Sequence, residues 1–230
     1  MIYKPTLEEV KSIFQENKWN MVPLYREINA DLETPVAAFL KVATGPYSFL
    51  LESVEGGERQ ARYSFIGTEP YDVLKTGPRT ELGAIDPLIP LQERLARYKA
   101  LAAGDLPRFL GGAIGYLSYE TFRYYEPRVT SPEGDPLGVP ESVLMFTDTM
   151  LVFDHVKHVI KLVSHVHLQD NVDMAYREAA DRIETMARRL KTDVKIPKES
   201  GVANHTQTEV SNFSKSLQLR ASYQRLLHTP

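Results

Sequence analysis

The chain has 230 residues, 43% of them hydrophobic and 25% charged, which is enough apolar side chain for one large domain or two small ones. A formal net charge of -3 excludes the basic clustering of a nucleic-acid binder, and no window reaches the ~18 uninterrupted apolar residues of a membrane span. Zero cysteines exclude disulfides and thiolate metal sites, and the polar, acidic start "MIYKPTLEEVKS" carries neither signal nor transit pattern. A soluble cytoplasmic protein is the expectation.

"PTLEEVKSIF" reads as a first helix, with Thr6 and Glu9 as a capping box and Leu7, Val10 and Phe14 as one stripe. "MVPLYREI" is a strand that Pro23 confines to an edge or a strand start. In "ETPVAAFLKVA" Thr34 caps a second helix, Pro35 opens it, and Val36, Phe39, Leu40 and Ala43 are expected to face inward. "YSFLLESV" and "ARYSFIG" come next as strands joined by a loop at Glu55-Gly56-Gly57-Glu58, and "YDVLKTG" as a third. "DPLIPLQERLARYKALA" is a helix capped by Asp86, with Leu88, Leu91, Leu95 and Tyr98 at helical spacing. "RFLGGAIGYLSYE" is a glycine-interrupted strand, and a Pro- and Gly-rich loop runs from Pro127 to Pro140. "SVLMFTDTMLVFDHVKHVIKLVSHV" reads as two strands joined near Asp154 to Lys157. A last helix, "NVDMAYREAADRIETMARRL", lines up Val172, Tyr176, Ala179, Ile183, Met186 and Leu190. Strands in runs rather than in alternation with helices predict an α+β fold of antiparallel sheets with helices packed outside. The domain is expected over 1–190, with a polar linker over 191–216 and a short tail over 217–230.

Three constellations invite chemistry. His165 and His167, two apart, share a strand face and could ligate zinc, but Ile160, Leu162 and Val166 hold the apolar face. That leaves Lys161, His165 and His167 on a solvated face without an acid, so no metal site is expected. "GGAIGYLSYE" has neither a phosphate-loop lysine nor a dinucleotide fingerprint, and its glycines point to close backbone approach by another element or a ligand. Ser53 lies outside any nucleophile motif, and Glu52 and Glu55, three apart on a strand, would point to opposite faces. No catalytic set emerges. In "FLLES", apolar residues on both faces predict a strand buried on both faces and ending in Glu52 and Ser53. Those two either bond within the fold or hold a small ligand with an ammonium group and an apolar body.

"FLLES", "ARYSFIG" and "GGAIGYLSYE", in this order, together resemble the N-terminal domain of anthranilate synthase component I, a chorismate-utilising family. The resemblance runs from about Met1 to Leu190, and "SNF" at Ser211 to Phe213 is similar to the lead-in to the family's catalytic domain. It implies a site for L-tryptophan as allosteric inhibitor, to which Leu51, Glu52 and Ser53 correspond, with Arg62 as a neighbour. It also implies a full enzyme that makes anthranilate and pyruvate from chorismate with Mg²⁺ and a glutamine amidotransferase subunit. No cofactor is expected in this chain itself, because the residues after "SNF" resemble nothing of the catalytic domain. A truncated or frameshifted tail without activity of its own is the expectation. The corresponding domain of para-aminobenzoate synthase and a stand-alone amino-acid-binding regulator are the alternatives.

Overall fold

The computed structural model describes residues 2–52, 62–126, 128, 137–168 and 171–194. The expected linker beyond residue 194, the tail at 217–230 and Ser53 therefore lie outside the described residues. Eight strands form two antiparallel sheets: β1 (Met21–Asn29), β2 (Ser48–Leu51), β3 (Tyr63–Thr68), β4 (Asp72–Thr76), β5 (Gly112–Leu117), β6 (Ser142–Thr147), β7 (Thr149–Asp154) and β8 (Val159–His167). The first sheet has the order β1-β8-β7-β3-β2 and the second β4-β6-β5. Helices α1 (Leu7–Gln15), α2 (Pro35–Val42) and α4 (Val172–Leu190) cover one face of the first sheet, and α3 (Leu88–Leu95) lies on the second. The α+β class is as the strand runs predict.

Local signals place most of these elements. Thr6 accepts from the Glu9 N–H while the Glu9 carboxylate accepts from the Thr6 N–H, so the capping box starts α1. Thr34 caps α2, and Asn171 caps α4 by accepting from the Met174 N–H. The α4 stripe Val172, Ala179, Ile183, Met186 and Leu190 packs on Val22, Leu24, Leu151, Phe153, Ile160 and Leu162 in the main core. Pro23 sits in β1, an edge strand, where its missing N–H costs least.

Five expectations need correction. The run from Ser142 to His167 makes three strands: β6 ends at Thr147 in the second sheet, and after Asp148 alone β7 starts in the first. A single Asp is the one turn-favouring residue at that crossover, and β-forming residues continue on both sides. In α2 the buried positions are Pro35, Ala38 and Val42, and Val36 is exposed, since the helix comes close to α4 and β3 on its small side chains. In α3 Leu91 packs against Leu74, Leu144 and Phe146, while Leu88 and Leu95 are exposed. β2 is an edge strand, and Leu51 at its end is 42% exposed.

The fifth concerns the face expected to be solvated. Lys161 is 0% and His165 3% exposed, because the segment carrying Leu106, Phe109 and Leu110 covers that side of the sheet. The Lys161 ammonium donates to the Asp105 carbonyl at 2.5 Å, pairs with Glu27 at 3.0 Å and lies over the Tyr25 ring.

Candidate functional site

The hairpin of β2 and β3 runs in the register Ser48↔Thr68, Phe49↔Gly67, Leu50↔Ile66 and Leu51↔Phe65. Its first end is tied down. The Thr68 hydroxyl bonds the Ser48 hydroxyl at 2.9 Å and the Thr44 backbone N–H at 3.0 Å, joining the strand to the segment after α2. Leu50 turns toward the helix-covered core and Phe49 toward the opposite cluster. At the far end Leu51 and Glu52 are both exposed. An edge strand presents unpaired N–H and C=O groups along its outer side, so this end offers main-chain donors and acceptors beside a carboxylate.

Beside Leu51 lies an aromatic ledge. Phe65, its cross-strand partner, meets Phe109 edge-to-face with centroids 5.3 Å apart and Tyr63 at 6.2 Å. Arg62 caps this ledge, its guanidinium 4.9 Å from the Tyr63 ring centroid. Arg62 also clamps the base of β3: Nε donates to Asp154 Oδ1 at 3.1 Å and Nη2 to Oδ2 at 2.8 Å. Asp154 is buried and further accepts from the Val156 and Lys157 N–H groups. Burial pushes its carboxyl up, but the Arg62 and backbone bonds outweigh that and hold it below the usual carboxylate range.

Of the four residues assigned from sequence, the structure thus places Leu51 and Glu52 at one exposed strand end and Arg62 just before the neighbouring strand β3. Ser53 is outside the described residues. Tyr47, before β2, carries the Lys75 ammonium over its ring at 5.2 Å, and the Tyr116 phenol of β5 is raised by burial and by Tyr47. The start of β2 therefore meets the open face of the second sheet. The sequence reading missed the Phe49–Gly67 contact, although an aromatic facing a glycine across a hairpin was a signal for it.

The histidines belong elsewhere. His165 Nδ1 lies 3.1 Å from the Asp148 carbonyl, and His167 Nε2 lies 2.9 Å from the Asp148 carboxylate. Asp148 is the acid that the strand pattern did not supply, brought in by the crossover between sheets. Arg182 of α4 closes the cluster by donating to Ser164 Oγ and to the His165 carbonyl. Among the described residues no group of three His, Cys, Asp or Glu side chains is assembled to hold a metal. The Ser64 hydroxyl lies 2.8 Å from His155 Nε2, but Ser64 is 0% exposed, so the pair offers no accessible nucleophile.

Grooves also run along the outer edge of β1, lined by Ile2, Arg26, Glu27, Ile28 and Glu184. Their charges are answered within the fold. Glu184 pairs with Arg26 at 2.9 Å and accepts from the Tyr3 hydroxyl, whose pKa is pushed up to about 12 by burial and then by Glu184. Gly115 settles the glycines of "GGAIGYLSYE": a Cβ there would lie 1.8 Å from the Val143 carbonyl oxygen, so the close approach is by β6.

No protein-family model matches the chain. It is similar to the probable anthranilate synthase component 1 of Schizosaccharomyces pombe, 38% identical over 202 residues, covering 86% of this chain and 40% of the relative. Anthranilate synthase component 1 of Acetivibrio thermocellus is 38% identical over 200 residues, covering 82% and 40%. Among solved structures, the crystal structure of anthranilate synthase component I from Streptococcus pneumoniae is 25% identical with a TM-score of 0.48, covering 75% of this chain and 37% of that one. The chain spans about two-fifths of the length of the curated relatives it matches.

Proposed function

The chain is a relative of anthranilate synthase component 1 over most of its length, and from that premise we propose that it is the N-terminal, regulatory portion of such an enzyme. In this reading the whole enzyme converts chorismate and ammonia, supplied by a glutamine amidotransferase, to anthranilate and pyruvate. This portion senses L-tryptophan and does no chemistry. The carrying observation is the exposed end of β2, where Leu51 stands beside the Phe65–Tyr63 ledge and the exposed Glu52 follows it.

The chemistry suits an amino-acid ligand. The Glu52 carboxylate and outward carbonyls of the edge strand accept from an ammonium group, outward N–H groups donate to a carboxylate, and the ledge takes an apolar ring. Ser53, next in sequence, adds a hydroxyl. The Mg²⁺ that the family implies has no three-ligand set among the described residues, so no step of this proposal passes through a metal. Inhibition requires that tryptophan bind two arrangements of the enzyme with different affinity. The open face of the second sheet, with Tyr116 exposed on its edge strand, is a surface against which the rest of the longer polypeptide would move.

This portion alone should bind tryptophan weakly, on the order of millimolar, because the resemblance implies that the family's catalytic domain supplies part of the pocket. Amide spectra of the chain titrated with L-tryptophan test this. Shifts are expected at residues 49–53 and 62–66, and Ser53→Ala should reduce them. Shifts confined to the β1 groove, or micromolar binding by calorimetry, would overturn the reading.

A further inference from the structure

The glycine that closes "RYSFIG" offers no side chain to a ligand, yet its place in the sheet is a particular one. Gly67 pairs with Phe49 on one side and with Met150 of β7 on the other, so it sits where the β2 edge joins the buried part of the sheet. A Cβ built on it would stand 2.3 Å from Phe49 Cε1 and 2.5 Å from Cζ, distances no real Cβ adopts. The Phe49 ring therefore lies directly on the glycine backbone, filling the place of the missing side chain.

The position of this contact along β2 matters. The Ser48–Thr68–Thr44 hydroxyl bonds fix the strand at its start, and Phe49 lies on the glycine one residue later. Beyond it, among the described residues, come Leu50, packed on the main core, and the exposed Leu51 and Glu52. The ring's seat on Gly67 thus adds a side-chain constraint on the strand end beside the ladder bonds to β3. We infer that Phe49 is a positioning residue for the amino-acid site: seated on Gly67, it holds the Leu51–Glu52 end in the geometry that receives the ligand. It does so without touching the ligand, and this inference rests on the tryptophan-sensing reading.

The test is an amide-shift titration with L-tryptophan on four forms of the chain: unmodified, Gly67→Ala, Phe49→Leu and the double variant. Gly67→Ala lifts the ring and should raise the dissociation constant about tenfold, and Phe49→Leu, which keeps an apolar side chain but removes the ring, should do likewise. The double variant should be no weaker than Phe49→Leu alone, because an alanine opposite leucine has no ring to displace. Thermal midpoints separate this from loss of fold, since each titration reports affinity of the folded fraction. Should Gly67→Ala fail to fold, Phe49→Leu carries the test by itself. Unmodified chain that shows no tryptophan-dependent shift overturns the sensing reading and the inference with it. Binding by the unmodified chain that is unchanged in folded variants overturns the positioning role alone.

Discussion

The first sheet is covered on both faces, by α1, α2 and α4 on one side and by the segment carrying Leu106 and Leu110 on the other. Its central strands β7 and β8 are buried over nearly their whole length. The second sheet is covered on the α3 side, where Leu91 meets Leu74, Leu144 and Phe146. On its other face Val73, Ile114, Val143 and Met145 remain half-buried. Exposed large apolar side chains divide in the same way: of twenty among the described residues, thirteen fall between Tyr71 and Val139. One sheet is a closed scaffold, and the other keeps apolar surface in hand for contact. The proposed site sits where they meet, at an edge strand rooted in the first and touching the second through Tyr47.

The widest separation should appear on truncating one phenylalanine in the first sheet and one in the helical turn that follows β5 of the second. Phe153→Ala, in the main core at 2% exposure, should cost about 3–5 kcal/mol in urea denaturation. Phe122→Ala, beside the second sheet at 51% exposure, should stay within about 0.5 kcal/mol. Similar losses from both would break the comparison. Gly115→Ala comes next: its Cβ would collide with the Val143 carbonyl, so β5 must separate from β6. Hydrogen exchange should quicken at β5 and β6 amides, at a local cost of about 1–3 kcal/mol, and leave β7 and β8 protected. Loss of protection in β8 would show that the two sheets unfold as one.

Acid should act through the crossover that joins them. Burial lowers the His165 pKa, so the native state holds this ring neutral where the unfolded chain would protonate it. Its contribution is complete above the unfolded value of about 6.5 and is lost as pH falls below it. The groups facing it are Asp148, His167 and Arg182. For Asp148, burial raises the carboxyl, but the His167 bond and the Arg182 charge outweigh it and the net shift is downward, as for Asp154. Both carboxylates stabilise above their unfolded value of about 3.9, and that contribution is lost as pH falls through the lower folded values. Thermal midpoints should therefore drop in two windows, the first below about pH 6.5, and His165→Gln should flatten that first window while leaving the second. An unchanged first window in the variant would assign it to another group.

Much of this division was legible in the sequence, and the failures share one cause. The capping box of α1, the proline at the start of α2 and the α4 stripe are local signals, and local structure obeyed them. What pairing partners and coverage decide was not legible. "FLLES" carries apolar residues on both faces, as a central strand does, yet among the described residues β2 is the edge of its sheet, and Leu51 is exposed. Lys161 and His165 alternate with apolar residues as on a solvated strand, yet a segment more than fifty residues earlier in the chain covers them and supplies the Asp105 carbonyl. Asp148 looked like one polar residue within a strand, and only the two-sheet topology makes it the partner of both His165 and His167. For the proposed site, the motif pointed to Leu51, Glu52, Ser53 and Arg62, whereas the anchoring of β2 by Thr68 and Gly67 depended on the register.

The smallest expected effect sharpens the comparison most finely. Tyr116 lies on the open face of the second sheet, 42% exposed, and its hydroxyl donates to the Pro140 carbonyl at 2.8 Å. Water can replace that bond in the isolated chain, so Tyr116→Phe should cost no more than about 1 kcal/mol in urea denaturation. The ring itself, which spans from β5 toward Tyr47, stays in place in the variant. If that face is closed over by the rest of a longer polypeptide, the same substitution leaves the Pro140 carbonyl without water to replace the phenol, and the cost should rise to about 1–3 kcal/mol. Measured in both contexts, equal small losses would mean that the open face stays solvated, and the contact role assigned to the second sheet would have to move to α3.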